Sequence, residues 1–278
     1  MSESRRRTIE GFSLVEIAVV LVIISVLVTI IAVPLATQIE QRRGDETRKQ
    51  IELAKEALIG FAMANGRLPC PASAISNGVS SYCTSGTTGA CGAPINGVPP
   101  SHGKCTDSNG FLPAVTLGVA PVDAQGYAID GWQDSSTLHR IRYAVSKFEI
   151  STATERFPIT APNGMRAAGM TVLGADPIPT MAVHLYVCGT GLTAASSNTD
   201  CSVGVTKLTD RAVAVVYSVG KNATTAFASL SFDEKNNQGG STDIVFTSGD
   251  TGATFDDIVS WVSVNTLFAR MVQAGKLP

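Results

Sequence analysis

The residues best placed to do chemistry stand near the N-terminus. Arg5, Arg6 and Arg7 precede Gly11-Phe12-Ser13-Leu14-Val15-Glu16, and an apolar run follows through Ile17, Val20, Ile24, Ile31 and Val33. A carboxylate in an apolar helix of membrane length costs about 2.5 to 3.5 kcal/mol when central and less near the interface, so it needs a partner. Cutting the bond between Gly11 and Phe12 supplies one. Phe12 gains a free amine, and Glu16 then lies one helical turn from that positive charge and from the helix N-terminus. The chemistry expected here is a peptide-bond cleavage that creates an ion-pair partner for Glu16.

The hexapeptide Gly11 to Glu16 with its apolar continuation resembles the processing site of type IV prepilins and type II secretion pseudopilins. The resemblance implies that a prepilin peptidase cuts after Gly11 and N-methylates Phe12. It implies that Glu16, at the fifth mature position, guides subunits into a helical filament, and that Pro34 is the helix kink common in such stalks; proline removes a backbone hydrogen bond there in any case. The implied partners are other pilin-like subunits, met through the N-terminal helix, the prepilin peptidase, an inner-membrane assembly platform and membrane lipid. A type IV pilus and a type II secretion pseudopilus both fit. The head is larger than that of most major pilins, which by analogy reads as a minor subunit. A monomeric, membrane-anchored binding or sensor domain is the alternative.

The six cysteines are the next reactive groups: Cys70, Cys83, Cys91, Cys105, Cys188 and Cys201. They are even in number and follow a segment that directs them out of the cytoplasm, so disulfides are expected. Cys188 and Cys201 bracket a polar stretch, and closing such a loop stabilises a fold by roughly 3 kcal/mol in the chain-entropy model. The other four allow three pairings, among which the reading leans to Cys70 with Cys83 and Cys91 with Cys105. No Cys-x-x-Cys pair occurs and His102, His139 and His184 are scattered, which disfavours structural zinc.

Asp233, Glu234 and Asp243 lie around Gly239-Gly240, and some secretion pseudopilins carry calcium in a loop near the C-terminal end. Their spacing matches no defined calcium loop, and a solvated hairpin loop is the plainer reading. No cofactor is otherwise expected. Gly189-Thr190-Gly191 lacks the following helix of a dinucleotide loop, and Gly220-Lys221 lacks the Ser or Thr of a phosphate loop. No nucleophile, base and acid set can be assembled from three scattered histidines, so an enzyme is not expected. Residues 1–11 carry three arginines and two glutamates, so the formal charge of -2 becomes -3 once they are removed, which gives nucleic acid no purchase.

These groups need elements to hold them. The run from Ile17 to Leu35, interrupted only by Ser25, Thr29 and Pro34, is long enough as a helix to cross about 30 Å of hydrocarbon. It is too long for a signal-peptide core and lacks a small-residue cleavage site. The arginine cluster keeps its own side cytoplasmic and sends the remainder outward; the resemblance implies a bacterial inner-membrane protein that crosses once, with its head in the periplasm. Helical spacing resumes at Ile51, Ala54, Leu58 and Phe61, joined by Leu53, Ile59 and Ala62, and stops at Asn65-Gly66.

Three parts are therefore expected: a leader over 1–11, a stalk helix over 12–65 with a transmembrane part at about 14–35, and an extracytoplasmic head over 66–278. Residues 66–110 are rich in turn formers, and Phe111 to Val145 resembles the wrap between stalk and sheet in some larger pilin-like proteins. Alternation places strands at Met181–Val187 and Val213–Val219, with shorter candidates at Thr171–Leu173, Phe227–Phe232 and Ile244–Thr247. Thr254-Phe255-Asp256-Asp257 reads as a helix start leading into Ile258 to Val262, and Asn265 as the cap of a last helix ending at Gly275. The fold class is α+β and pilin-like, with a long helix packed on an antiparallel sheet and long disulfide-bonded loops.

Overall fold

The computed structural model describes residues 13–87, 91–132, 137–150, 156–173, 184–193, 200–240, 243–252 and 254–278, the side chains of 29–36 and 171 excepted. Gly11, Phe12 and the expected strand residues 181–183 lie outside them. The chain opens with α1 (Leu14–Asn65), followed by the short strands β1 (Ser81–Cys83), β2 (Pro94–Asn96) and β3 (Asn109–Phe111) and the one-turn helix α2 (Ala114–Leu117). Then come β4 (Arg142–Val145), α3 (Gly164–Leu173), β5 (Leu185–Cys188) and the long β6 (Lys207–Ser218). The chain closes with α4 (Phe232–Asn237), β7 (Val245–Thr247), β8 (Ile258–Ser263) and α5 (Val264–Gln273). Two compact units result, residues 1–43 and 44–278, and α1 contributes to both.

Within the second unit, Thr47, Ile51, Ala54, Leu58, Ile59 and Ala62 form the buried side of α1. The five apolar ones share one core with Tyr143, Val145, Val216 and Val262 of the sheet and with Leu267 and Met271 of α5. Leu53 is a correction: it is 55% exposed, on the opposite side from that stripe. The helix stops as its last residues predict, with Gly66 at φ 71° donating its N–H to Ala62 O at 2.8 Å.

The main sheet has six strands, in the order β3-β4-β6-β5-β7 with β8 also on β6. Ala214 to Tyr217 pair with both β4 and β8, and Ala212 pairs with both β5 and β8. The strands β4 and β5 therefore lie end to end along one edge of β6, opposite β8. Their junction is closed by His184. Its Nδ1 accepts from Ser146 Oγ at 2.8 Å, its Nε2 donates to Leu173 O at 2.9 Å, and its ring stacks on Phe148 at 5.0 Å.

Burial holds the His184 pKa below its ordinary value of 6.5. The stability tied to the neutral ring is therefore present above pH 6.5 and is lost as pH falls through the lower folded pKa. Urea midpoints at pH 7.5 and 5.5 should show this drop, and His184→Gln should be weaker at pH 7.5 yet shrink the drop; an unchanged drop would assign it elsewhere.

Five further expectations are corrected. The sheet is mixed, because β5 and β7 run parallel, the chain returning to β5's far edge after β6 and α4. Thr171–Leu173 ends a helix that begins at Gly164 and breaks at Gly169, where φ is 77°. Phe227–Phe232 is a 3₁₀ turn followed by the start of α4, because Ser231 and Glu234 form a capping box that the aromatic content masked. Ile258 to Val262 is a strand: Ile258 and Val262 face the α1 core, while Val259 and Trp261 face the other side, a period of two that outweighs the acidic pair before it. The last helix is capped by Ser263, whose Oγ accepts from Thr266 N, and not by Asn265.

Three disulfides close the loops: Cys70–Cys105, Cys83–Cys91 and Cys188–Cys201. The first two replace the pairing of Cys70 with Cys83 and Cys91 with Cys105. The reason is topological. The β1–β2 hairpin brings Cys91 back beside Cys83, and a bridge between Tyr82 and Cys105 lays the 104–106 segment along β1, within reach of Cys70.

Candidate functional site

Ser13 and Glu16 form the described end of the N-terminal site. The Glu16 carboxylate accepts from its own helix's Ser13 N–H at 3.0 Å, while Ser13 O accepts from the N–H groups of Glu16 and Ile17. Glu16 thus turns back toward the helix N-terminus, where carboxylates are stabilised by the exposed N–H groups. From Ile17 to Val28 every large apolar side chain is at least half exposed. A helix apolar on all sides and exposed among the described residues needs apolar surroundings.

Among the described residues, no helix is long and apolar enough to cross a membrane. The described apolar stretch, Leu14–Val28, has fifteen residues, about 22 Å at 1.5 Å per residue. Its continuation in the sequence, 29–36, lies outside the described side chains, as does the ring of Pro34, although the helix runs through that position.

Residues 6–32 match the prokaryotic N-terminal methylation motif. This is the type IV pilin and pseudopilin signal. The matched residues take in Gly11, Phe12 and Glu16 and most of the apolar run. No curated protein and no solved structure matches the chain.

The head carries the other candidate residues. Asp233 accepts from Gly191 N–H and Leu192 N–H, tying α4 to the Cys188–Cys201 loop. Glu234 is buried and accepts from Ser231 and from the amide of Asn222. Asp243 lies against Gly239, and its charge faces Lys147. The three carboxylates therefore point to three different partners. Among the described residues no group of three or more His, Cys, Asp or Glu is arranged to hold a metal ion.

Sequence reasoning missed Asp257, which it assigned to a helix start. The residue is 1% exposed and precedes β8. Asn237 Nδ2 donates to Asp257 Oδ2 at 2.8 Å and also to Thr247 O, while Thr247 N–H donates to Asn237 Oδ1. The Asn237 side-chain amide thus pairs with β7 as a peptide group of another strand would. Burial, reinforced by the nearby Asp256 and Glu234 charges, pushes the Asp257 pKa up to about 8. The only sequence cue to this polar knot is a run of Asn and Asp on either side of a short β-branched segment.

Proposed function

We propose that the chain is a structural subunit of a type IV pilus or a type II secretion pseudopilus, cleaved after Gly11 and methylated on Phe12. The observation that carries this reading is the methylation motif set on a helix that is apolar all round and bare. In this reading residues 1–11 are the leader, 12–65 the stalk and 66–278 a periplasmic head. The stalk crosses the inner membrane once at about 14–35, with lipid around it, and bends at Pro34. Subunits pack through their stalks with Glu16 meeting a neighbour's methylated amine, on an inner-membrane assembly platform, and the large head suits a minor subunit.

Mass spectrometry of the chain recovered from its own cells tests the reading. The expected N-terminus is methylated Phe12, and Gly11→Ala should leave residues 1–11 attached; an intact leader in the unaltered chain refutes processing. Shearing the cells then separates the machines. Recovery in surface filaments marks a pilus subunit, retention with a secretion defect on deletion marks a pseudopilin, and retention with neither returns the anchored monomeric domain.

A further inference from the structure

A cavity of about 290 Å³ lies between α1, the chain that follows β7 and the start of β8. Ile51 and Val259 give it apolar wall, Arg48 and Glu52 stand on its α1 side, and Asp257 and Ser260 on its β8 side. The charged groups of this wall are paired, with one exception. Arg48 donates to Asp45 at 3.1 Å and to Thr251 Oγ1 at 3.3 Å. Glu52 accepts from Ser260 Oγ at 2.8 Å, and Lys55 Nζ lies 2.5 Å from its other oxygen. Asp257 is the exception. Its Oδ2 accepts from Asn237 Nδ2, but its Oδ1 is buried and has no partner among the described residues. A carboxyl oxygen withdrawn from water costs free energy until a donor reaches it.

The surroundings fix the charge of the missing donor. Burial first, and then the charges of Asp256 and of Glu234 from α4, raise the Asp257 pKa, and the Arg142 charge from β4 works against them. Across the cavity, Arg48 is offset by Asp45 and Lys55 by Glu52. The field at Asp257 is therefore negative, and a cationic donor gains there what a neutral one does not. A metal ion is not that donor, since among the described residues no group of three or more His, Cys, Asp or Glu is arranged to hold one. A planar guanidinium spreads five donors and needs several acceptors, whereas one free oxygen suits a compact ammonium. Ile51 and Val259 then lie along an unbranched alkyl stem, which keeps apolar company while its charged end is paired.

We propose that this cavity receives a primary alkylammonium group, its N–H donors on Asp257 Oδ1 and its stem against Ile51 and Val259. The ammonium keeps its own protons and displaces that of the carboxyl, so each binding event below the Asp257 pKa releases one proton. Affinity therefore falls about tenfold per pH unit below pH 8 and levels off above it. The site does not depend on removal of the leader.

Saturation-transfer NMR of n-butylammonium with the full-length chain in a non-ionic detergent tests the proposal. The dissociation constant should fall about a hundredfold from pH 6 to pH 9, a range in which the alkylammonium itself stays charged. Tetramethylammonium, which has the charge but no N–H, should bind at least tenfold more weakly at pH 9. Asp257→Asn, whose oxygen can still accept from Asn237, should weaken n-butylammonium at least tenfold at pH 9 and remove the pH dependence. Asp243→Asn, at an acid outside the cavity, should change neither. The lysine peptide acetyl-Gly-Lys-Gly-amide distinguishes the sources of the group. Binding as tight as that of n-butylammonium assigns the cavity to a lysine side chain of another protein, and exclusion of the peptide assigns it to a free amine. No binding of n-butylammonium at pH 9, equal binding of tetramethylammonium, or an affinity indifferent to pH would overturn the proposal.

Discussion

Replacing Glu16 with alanine leaves cleavage and methylation at Phe12 intact and reduces incorporation into filaments by at least tenfold. In the proposed reading the cut falls between Gly11 and Phe12, upstream of the altered side chain, so the peptidase still meets its bond. Assembly is different. If stalks pack as proposed, a methylated amine is buried among apolar side chains, and an unpaired charge in such surroundings costs several kcal/mol, where 1.4 kcal/mol already equals a factor of ten. Glu16 also accepts from Ser13 N–H, so alanine removes a local cap as well. A lost cap costs about 0.5 to 2 kcal/mol and typically about 1. Glu16→Gln separates the two: its side-chain oxygen can still accept from Ser13, but it carries no charge. Both variants should assemble poorly in a pull-down or shear assay; recovery of assembly by glutamine would reduce Glu16 to a helix cap.

Asp257→Asn should make the head more stable in mildly alkaline solution and flatten its pH dependence. The folded pKa of about 8 stands above the ordinary 3.8, so the folded chain holds a proton that the unfolded chain releases. Stability from this group is complete below pH 3.8 and is lost as pH rises toward and through 8. The limiting slope is about 1.4 kcal/mol per pH unit for one such group. Asparagine mimics the protonated acid: its oxygen can still accept from Asn237, and no charge builds up beside Asp256 and Glu234. Thermal melts from pH 5 to 9 read the effect, with the gap between variant and parent widening as pH rises. Parallel curves would mean that Asp257 is already ionised in the folded head.

The parts of the molecule legible in its sequence are those set by local rules. The apolar run, the Asn65-Gly66 stop, the buried stripe from Ile51 to Ala62 and the strand at Val213 each follow from spacing along one element, although β6 is buried on both faces from Ala212 and not on one. The parts misread depend on which distant segment comes alongside. Cys105 is drawn to Cys70 because residue 105 bridges Tyr82, thirty-five positions being no guide to that. Asp256-Asp257 looks like a helix first turn until Asn237 and Thr247, contributed by α4 and β7, close over it. The N-terminal site was legible for a separate reason: its residues are contiguous, so the motif is complete before any fold brings distant segments together.

The two larger disulfide loops also set how far the molecule can be drawn out. A chain pulled from its two ends can extend only through backbone that lies outside a covalent ring. Cys70–Cys105 and Cys188–Cys201 withhold 35 and 13 residues, about 160 Å of contour at roughly 3.4 Å per residue. Under tension that unravels the sheet, the oxidised head therefore yields less slack than its length suggests, and the hidden length becomes available only where thiols are reduced.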